Sequence, residues 1–146
     1  MRTQALALAL LAVTVAPSAA QEGADDERAV SCLGVGRLRG TIYDSETGTL
    51  QPGLDAILDA MAKAYREKCS GRLVIIQGHA YELPTPALNE ELSELRALTV
   101  QHELVKRGIP LANLIAVGRG DTLPLAPATE PEAMRLNRRI TFRVAD

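Results

Sequence analysis

The sequence has no tryptophan, and aromatic residues make up only 3% of its 146 residues. Sites that bind single-stranded nucleic acid usually stack their ligands on aromatic side chains. The 16 basic and 18 acidic residues give a formal net charge of −2, and no block of Lys and Arg stands out. The composition therefore argues against nucleic acid and against a membrane surface as partners.

A long apolar segment is also missing. The one marked apolar run, residues 5–16, falls short of the roughly 20 residues that span a bilayer. It follows Arg2 and precedes Ser18-Ala19-Ala20, an arrangement typical of an export signal. We therefore predict a signal peptide at residues 1–20, cut before Gln21, and a mature chain without a transmembrane segment. An uncleaved anchor is the alternative interpretation.

Cysteine is limited to Cys32 and Cys69, and no Cys-x-x-Cys spacing indicates thiol redox chemistry. In an oxidising compartment an even pair is more often bridged than free. A disulfide would close a loop of 37 residues (69 minus 32) and stabilise the fold by roughly 3–4 kcal/mol. Two buried, unpaired thiols are the alternative.

The polar, acidic residues 21–36 show no periodicity, and we predict a flexible leader there, followed by one folded domain at residues 37–146. Strands are predicted around residues 38–43, 73–76, 114–117 and 139–144, and helices from Pro52 to before Ser70 and from Asn89, as N-cap, to about Arg107. This order predicts an α+β fold. Its layers are a mixed four-stranded sheet and helices on one face, in the order β-α-β-α-β-β.

The second predicted helix carries polar residues where an apolar stripe is expected. At about 100° per residue, Asn89, Ser93 and Arg96 share the stripe that is apolar in the C-terminal half. An arginine near a helix N-terminus suits an anionic ligand, because its fork matches a carboxylate and the helix end is positive. Alternatively, Arg96 lies at the edge of the helix and pairs with Glu90, Glu91 or a C-terminal acid. Helix geometry alone leaves both interpretations open.

Four spaced motifs lie between Gly78 and Arg139. They are Gly78-His79, Asn89-x-x-Leu92-Ser93-x-x-Arg96-Ala97-x-x-Val100, Gly118-x-Gly120-Asp121-x-x-Pro124 and Arg135-x-Asn137-Arg138-Arg139. Their order and spacing resemble the OmpA-like C-terminal domain, which binds peptidoglycan in the bacterial periplasm. The resemblance covers residues 43–144. It implies a periplasmic envelope module, associated with the outer membrane or the cell wall, without a cofactor.

The resemblance also implies a ligand site. In that family the arginine that matches Arg96 holds a carboxylate of the diamino acid in the peptide stem, and an aspartate fifteen positions earlier takes its ammonium. Here that position is Tyr81 (96 minus 15), a phenol that is neutral near pH 7. Losing a charged hydrogen bond should cost roughly 1.5–3 kcal/mol, about 10- to 150-fold in affinity. Glu82, one residue on, is a candidate to supply the missing charge if the turn is rebuilt; a lost site is the alternative interpretation.

The last motif adds two candidates. In OmpA-like domains the Asn-Arg-Arg sequence lies by the ligand groove, so the resemblance adds Asn137 and Arg139 to Arg96, Asn89, Ser93, Tyr81 and Glu82. Surface charges on an edge strand are the alternative for Arg138 and Arg139.

Two functions remain open from the sequence. The first is a non-catalytic module that binds the stem peptide of peptidoglycan weakly. The second is a degenerate scaffold that acts as a protein-interaction subunit in the envelope, because Tyr81, Leu83 and Pro84 make the rim more apolar. No nucleophile–base pair or acid pair is found, so we predict no enzyme activity. His79 and His102 lack the neighbours of a metal site.

Overall fold

The computed structural model describes residues 19–40, 42, 50–124 and 135–145. The elements in these ranges are α1 (Ala19–Leu33), β1 (Arg37–Arg39), α2 (Leu54–Lys68), β2 (Val74–His79), α3 (Pro86–Lys106), a 3₁₀ turn (Leu111–Asn113), β3 (Leu114–Gly118) and β4 (Arg139–Val144). No described helix is both long and apolar enough to cross a bilayer. Except for its last two residues, the predicted signal peptide lies outside the described residues.

The strands form one mixed sheet in the order β1-β4-β2-β3. Strands β2 and β3 are parallel, whereas β4 runs antiparallel to both β1 and β2. This arrangement confirms the predicted α+β class and the β-α-β-α-β-β order from β1 onward. Because β1 covers the outer side of β4, the interpretation of Arg138 and Arg139 as charges on an edge strand is wrong.

Two glycines set the distance between α3 and the sheet. A Cβ atom on Gly78 would collide with the backbone carbonyl oxygen of Ser93, and one on Gly118 would lie 2.7 Å from the carbonyl oxygen of Glu90. The missing side chains therefore let α3 approach the ends of β2 and β3 closely. The N-terminal half of α3, with its polar stripe, is thereby held against these strand ends.

Helix α3 begins earlier than predicted. Thr85 is the N-cap, and its Oγ1 accepts a hydrogen bond from the Leu88 N–H at 3.3 Å. Pro86 follows at the first helical position, where a missing N–H has no cost. The prediction of Asn89 as the cap is therefore wrong. Asn89 lies inside the helix, and its side chain bonds to other segments.

Residues 19–33 form helix α1, so the prediction of a flexible leader at residues 21–36 is wrong. Ala29, Cys32 and Leu33 are buried in the core at 0%, 4% and 1% exposure. The polar positions of α1 also find partners: Asp26 forms an ion pair with Arg37, eleven residues away. The buried and half-buried positions of α1 do follow helical spacing, but those in its first half are the polar residues Glu22, Asp25 and Asp26, so no apolar stripe marked the helix in the sequence.

The predicted disulfide is confirmed. Cys32, near the end of α1, is bonded to Cys69, the residue that follows α2, with the two Cα atoms 5.5 Å apart. Both residues belong to the hydrophobic core. The bond joins α1 covalently to the rest of the domain.

Candidate functional site

The predicted site residues gather at the carboxyl ends of β2 and β3. The turn after β2, the loop after β3 and the N-terminal half of α3 meet there. The Ala80 N–H donates to the Gly120 carbonyl at 3.0 Å, and the Arg119 N–H donates to the Gly78 carbonyl at 2.9 Å. Since β2 and β3 are parallel neighbours, their ends lie side by side and these bonds lock the two turns together.

Asn89 connects all three segments and is 2% exposed. Its Oδ1 accepts from the Leu83 N–H at 3.0 Å, and its Nδ2 donates to the Leu83 carbonyl at 3.1 Å. Nδ2 also donates to Oδ2 of Asp121 at 3.2 Å. Asn89 therefore positions the turn after β2 and the loop after β3.

Ser93 has a similar place, with no exposed surface. Its hydroxyl donates to the Glu90 carbonyl at 2.7 Å and accepts from the Gly120 N–H at 2.8 Å. This bond ties α3 to the loop after β3. Asn89 and Ser93 are thus buried, and their side chains position the segments around the site.

Arg96 points to the rim of the site, and its side chain is 14% exposed. Its Nη1 forms an ion pair with Oε1 of Glu82, whose other oxygen lies 3.6 Å from Nε of Arg138. The acids considered from the sequence, Glu90 and Glu91, do not appear in this pair. Two guanidinium groups face one carboxylate, so the cluster has a net positive charge and retains some access to solvent.

Arg138 is the site residue that the sequence reasoning missed. Gly78 faces α3 and pairs with Ile140 across the sheet, so Ile140 faces the same side. Side chains alternate along a strand, which puts Arg138 on the α3 side and Arg139 on the other. The alternation of the last strand was visible in the sequence and is the signal that would have distinguished the two arginines.

Tyr81 is the residue that the motif spacing aligns with the aspartate expected for an OmpA-like site. Its hydroxyl is buried and has no hydrogen bond of good geometry among the described residues. Burial raises the pKa of Tyr81 above its usual value of 10.0, although the positive charge of Arg139 acts in the opposite direction. The phenol is therefore neutral at physiological pH and does not supply a negative charge for an ammonium group.

Arg139 and Asn137 lie below the rim and are 1% and 0% exposed. The guanidinium of Arg139 bonds to both carboxylate oxygens of Glu22 on α1, at 2.7 and 2.8 Å. It also donates to the carbonyls of Leu123 at 3.0 Å and Asn137 at 3.1 Å. These contacts are internal, and direct ligand contact by either residue stays a prediction.

His79 is buried beside this arginine and is 1% exposed. Its Nε2 lies 3.0 Å from Oγ1 of Thr141. Burial lowers the pKa of His79 from 6.5 to about 3, and Arg139, Arg119 and Arg37 contribute in the same direction. A neutral imidazole with a structural hydrogen bond results. In the ranges that the structure covers, no group of three or more His, Cys, Asp or Glu is placed to hold a metal ion.

Comparisons with known proteins agree with the fold and with the motifs. The sequence model of the OmpA family matches residues 42–138. A peptidoglycan-associated lipoprotein of Pseudomonas aeruginosa is 33% identical over 101 residues, which is 69% of this chain and 59% of that protein. The chain thus spans about three fifths of the length of the curated relatives that it matches first.

Two solved structures extend the comparison. The peptidoglycan-associated lipoprotein from Burkholderia pseudomallei superimposes with a TM-score of 0.62 at 25% identity, covering 77% of this chain and 92% of that one. The cell wall anchor of the T6SS from Pseudomonas aeruginosa gives 0.61 at 28% identity, covering 89% and 99%.

Proposed function

This chain belongs to the OmpA family, and we propose that it is a non-catalytic module of the periplasmic cell envelope that binds the diamino-acid stem peptide of peptidoglycan. The relatives support an envelope role, because their names describe peptidoglycan-associated proteins and a cell wall anchor. The observation that carries the proposal is the rim cluster of Arg96, Glu82 and Arg138.

The rim cluster is complementary to the end of an amino acid, which carries a carboxylate and an ammonium on one carbon. Arg96 and Arg138 suit the carboxylate, since guanidinium groups bind carboxylates through charge-assisted hydrogen bonds. Glu82 supplies a negative charge one residue after Tyr81, and we propose that it accepts the ammonium. A ligand that inserts between Arg96 and Glu82 replaces their ion pair with two charged hydrogen bonds.

Calorimetric titration with a soluble stem peptide that contains a diamino acid tests these roles. Glu82→Gln removes the charge at nearly constant shape, and we expect affinity to fall roughly 10- to 150-fold, as for a lost charged hydrogen bond. Arg96→Ala should reduce it at least as much. Glu91→Gln, on the exposed surface of α3, is the matched control and should bind like the native protein.

The Glu82 variant also separates two roles for this acid. If Glu82 only neutralises Arg96, its removal frees the guanidinium and affinity rises or stays the same. Either result would show that the ammonium contact is wrong, while loss of binding in Arg96→Ala alone would still support a carboxylate site.

A second candidate function is a protein-interaction subunit without wall binding. Helix α3 exposes three leucines on its outer side, among polar residues such as Glu91: Leu88, Leu95 and Leu98 are 42%, 62% and 44% exposed and lie on one side at helical spacing. At the rim, Leu83 is 37% exposed. Such a surface, next to an arginine that already has a carboxylate partner, favours a protein ligand.

A further inference from the structure

We infer that α1 positions the loop after β3, residues 119–124, by means of Glu22 and Arg139, and that the Cys32–Cys69 disulfide holds α1 in place for this task. The consequence for ligand affinity rests on the proposed function; the effect on the loop does not. Glu22 is thus a positioning residue, since its contact with the site runs through Arg139.

Arg139 is fully buried in the fold. Its side chain has no exposed surface, and Glu22 is 11% exposed. Both carboxylate oxygens of Glu22 bind the guanidinium, at 2.7 and 2.8 Å. Removing one partner of a buried ion pair leaves an uncompensated charge, which is strongly unfavourable. Arg139 therefore requires the first turns of α1 in their observed position.

Arg139 also bonds to the loop after β3. The same Nη2 that binds Glu22 also donates to the Leu123 carbonyl at 3.0 Å. Within the loop, the Gly120 N–H bonds to Ser93 at 2.8 Å and Asp121 bonds to Asn89 at 3.2 Å. The attachments at residues 119–121 come from α3 and from the end of β2, whereas the one at Leu123 depends on α1 through Arg139.

Close packing supports a mechanical connection at this end of α1. Glu22 and Asp25 line a cavity with Gln77, His79 and Thr141, and its volume is only about 10 Å³. A space of this size holds at most about one water molecule. The start of α1 therefore lies directly against the sheet, and no larger ligand separates it from Arg139.

The C-terminal end of α1 is anchored by the Cys32–Cys69 disulfide. Helix α1 has 15 residues, so it is about 22 Å long, and Cys32 lies near its C-terminus. The helix is thus held at one end by the disulfide to Cys69 and at the other by the ion pair. It precedes the region that matches the OmpA family, which begins at residue 42.

Hydrogen exchange of backbone amides in the oxidised protein, measured without ligand, tests the inference. In Glu22→Gln, exchange should accelerate about tenfold or more at Thr122, which precedes Leu123 and whose N–H bonds to the Arg119 carbonyl at 3.3 Å. Cys32→Ser with Cys69→Ser should accelerate the same amide. Glu22→Asp should retain partial protection, and Glu27→Gln, on the exposed side of α1, should match the native protein.

Amides in the core strand β2, such as those of Val74 and Ile76, distinguish a local effect from global unfolding. If they exchange faster by the same factor as the loop, the variants act only on overall stability and the inference is overturned. Unchanged loop exchange in Glu22→Gln overturns it as well. A native protein that fails to bind the stem peptide would refute the proposed function while leaving the exchange result decisive.

Discussion

Arg138 and Arg139 are adjacent in the sequence but serve different parts of the molecule. Arg138 lies 3.6 Å from Glu82 at the rim, whereas Arg139 is buried and bonded to Glu22. Strand alternation separates them, because neighbouring side chains point to opposite faces of a sheet. A motif match assigns both positions to one site, and only the geometry shows which of the two faces the rim.

At the same scale, His79 should make stability depend on pH. Its pKa is lowered from 6.5 to about 3 in the folded protein, so below pH 6.5 the unfolded chain binds a proton that the folded chain does not. The contribution of this group to the free energy of unfolding is fully present above pH 6.5. It should fall by about 1.4 kcal/mol per pH unit as the pH decreases towards 3. Urea unfolding at several pH values measures this slope.

Other carboxylates contribute to the total slope, so a difference between variants isolates the histidine. His79→Asn should show a flatter dependence between pH 6.5 and 4.5. Equal slopes in His79→Asn and the native protein would mean that His79 is not held neutral by the fold.

At the scale of elements, the contact between α3 and β2 depends on Gly78. Its added Cβ in Gly78→Ala would meet the Ser93 carbonyl, a backbone atom that cannot move independently. We expect unfolding to become easier by at least about 1–3 kcal/mol, the usual cost of overpacking. Gly23→Ala on α1, where nothing lies within 4 Å, should instead stabilise the protein by about 0.5–1 kcal/mol. Thermal unfolding that ranks the two variants in the reverse order would contradict this packing.

The elements also show what the sequence alone can predict. Strand β4 was predicted with the observed ends, since its apolar and polar residues alternate over the whole strand. Helix α1 was missed because its polar side is satisfied by distant partners, including Arg139, which is 117 residues from Glu22. Asparagine and threonine both suit the N-cap of a helix, so residue preference alone did not favour Thr85 over Asn89. The side-chain bonds of Asn89 to Leu83 and Asp121, which show its true role, arise only in the fold.

At the scale of the whole molecule, the candidate site is only partly predictable. The family motifs place Arg96 at the rim, and helix periodicity puts it beside Asn89 and Ser93. Glu82 was a candidate from the sequence, but its ion pair with Arg96 crosses a turn held by Asn89 and was not predicted from side-chain spacing. The sequence predicted Tyr81 at the position expected for an aspartate, but it did not predict the burial of the Tyr81 hydroxyl.

Co-sedimentation of the oxidised protein with purified peptidoglycan sacculi tests whether this chain binds the cell wall. We expect the native protein to pellet with the sacculi, Arg96→Ala to remain in the supernatant, and Arg143→Ala, at an exposed position of β4, to pellet like the native protein. Tyr81→Asp should bind more strongly. Native protein that does not pellet, together with binding by Tyr81→Asp, would contradict the claim and favour the protein-interaction subunit.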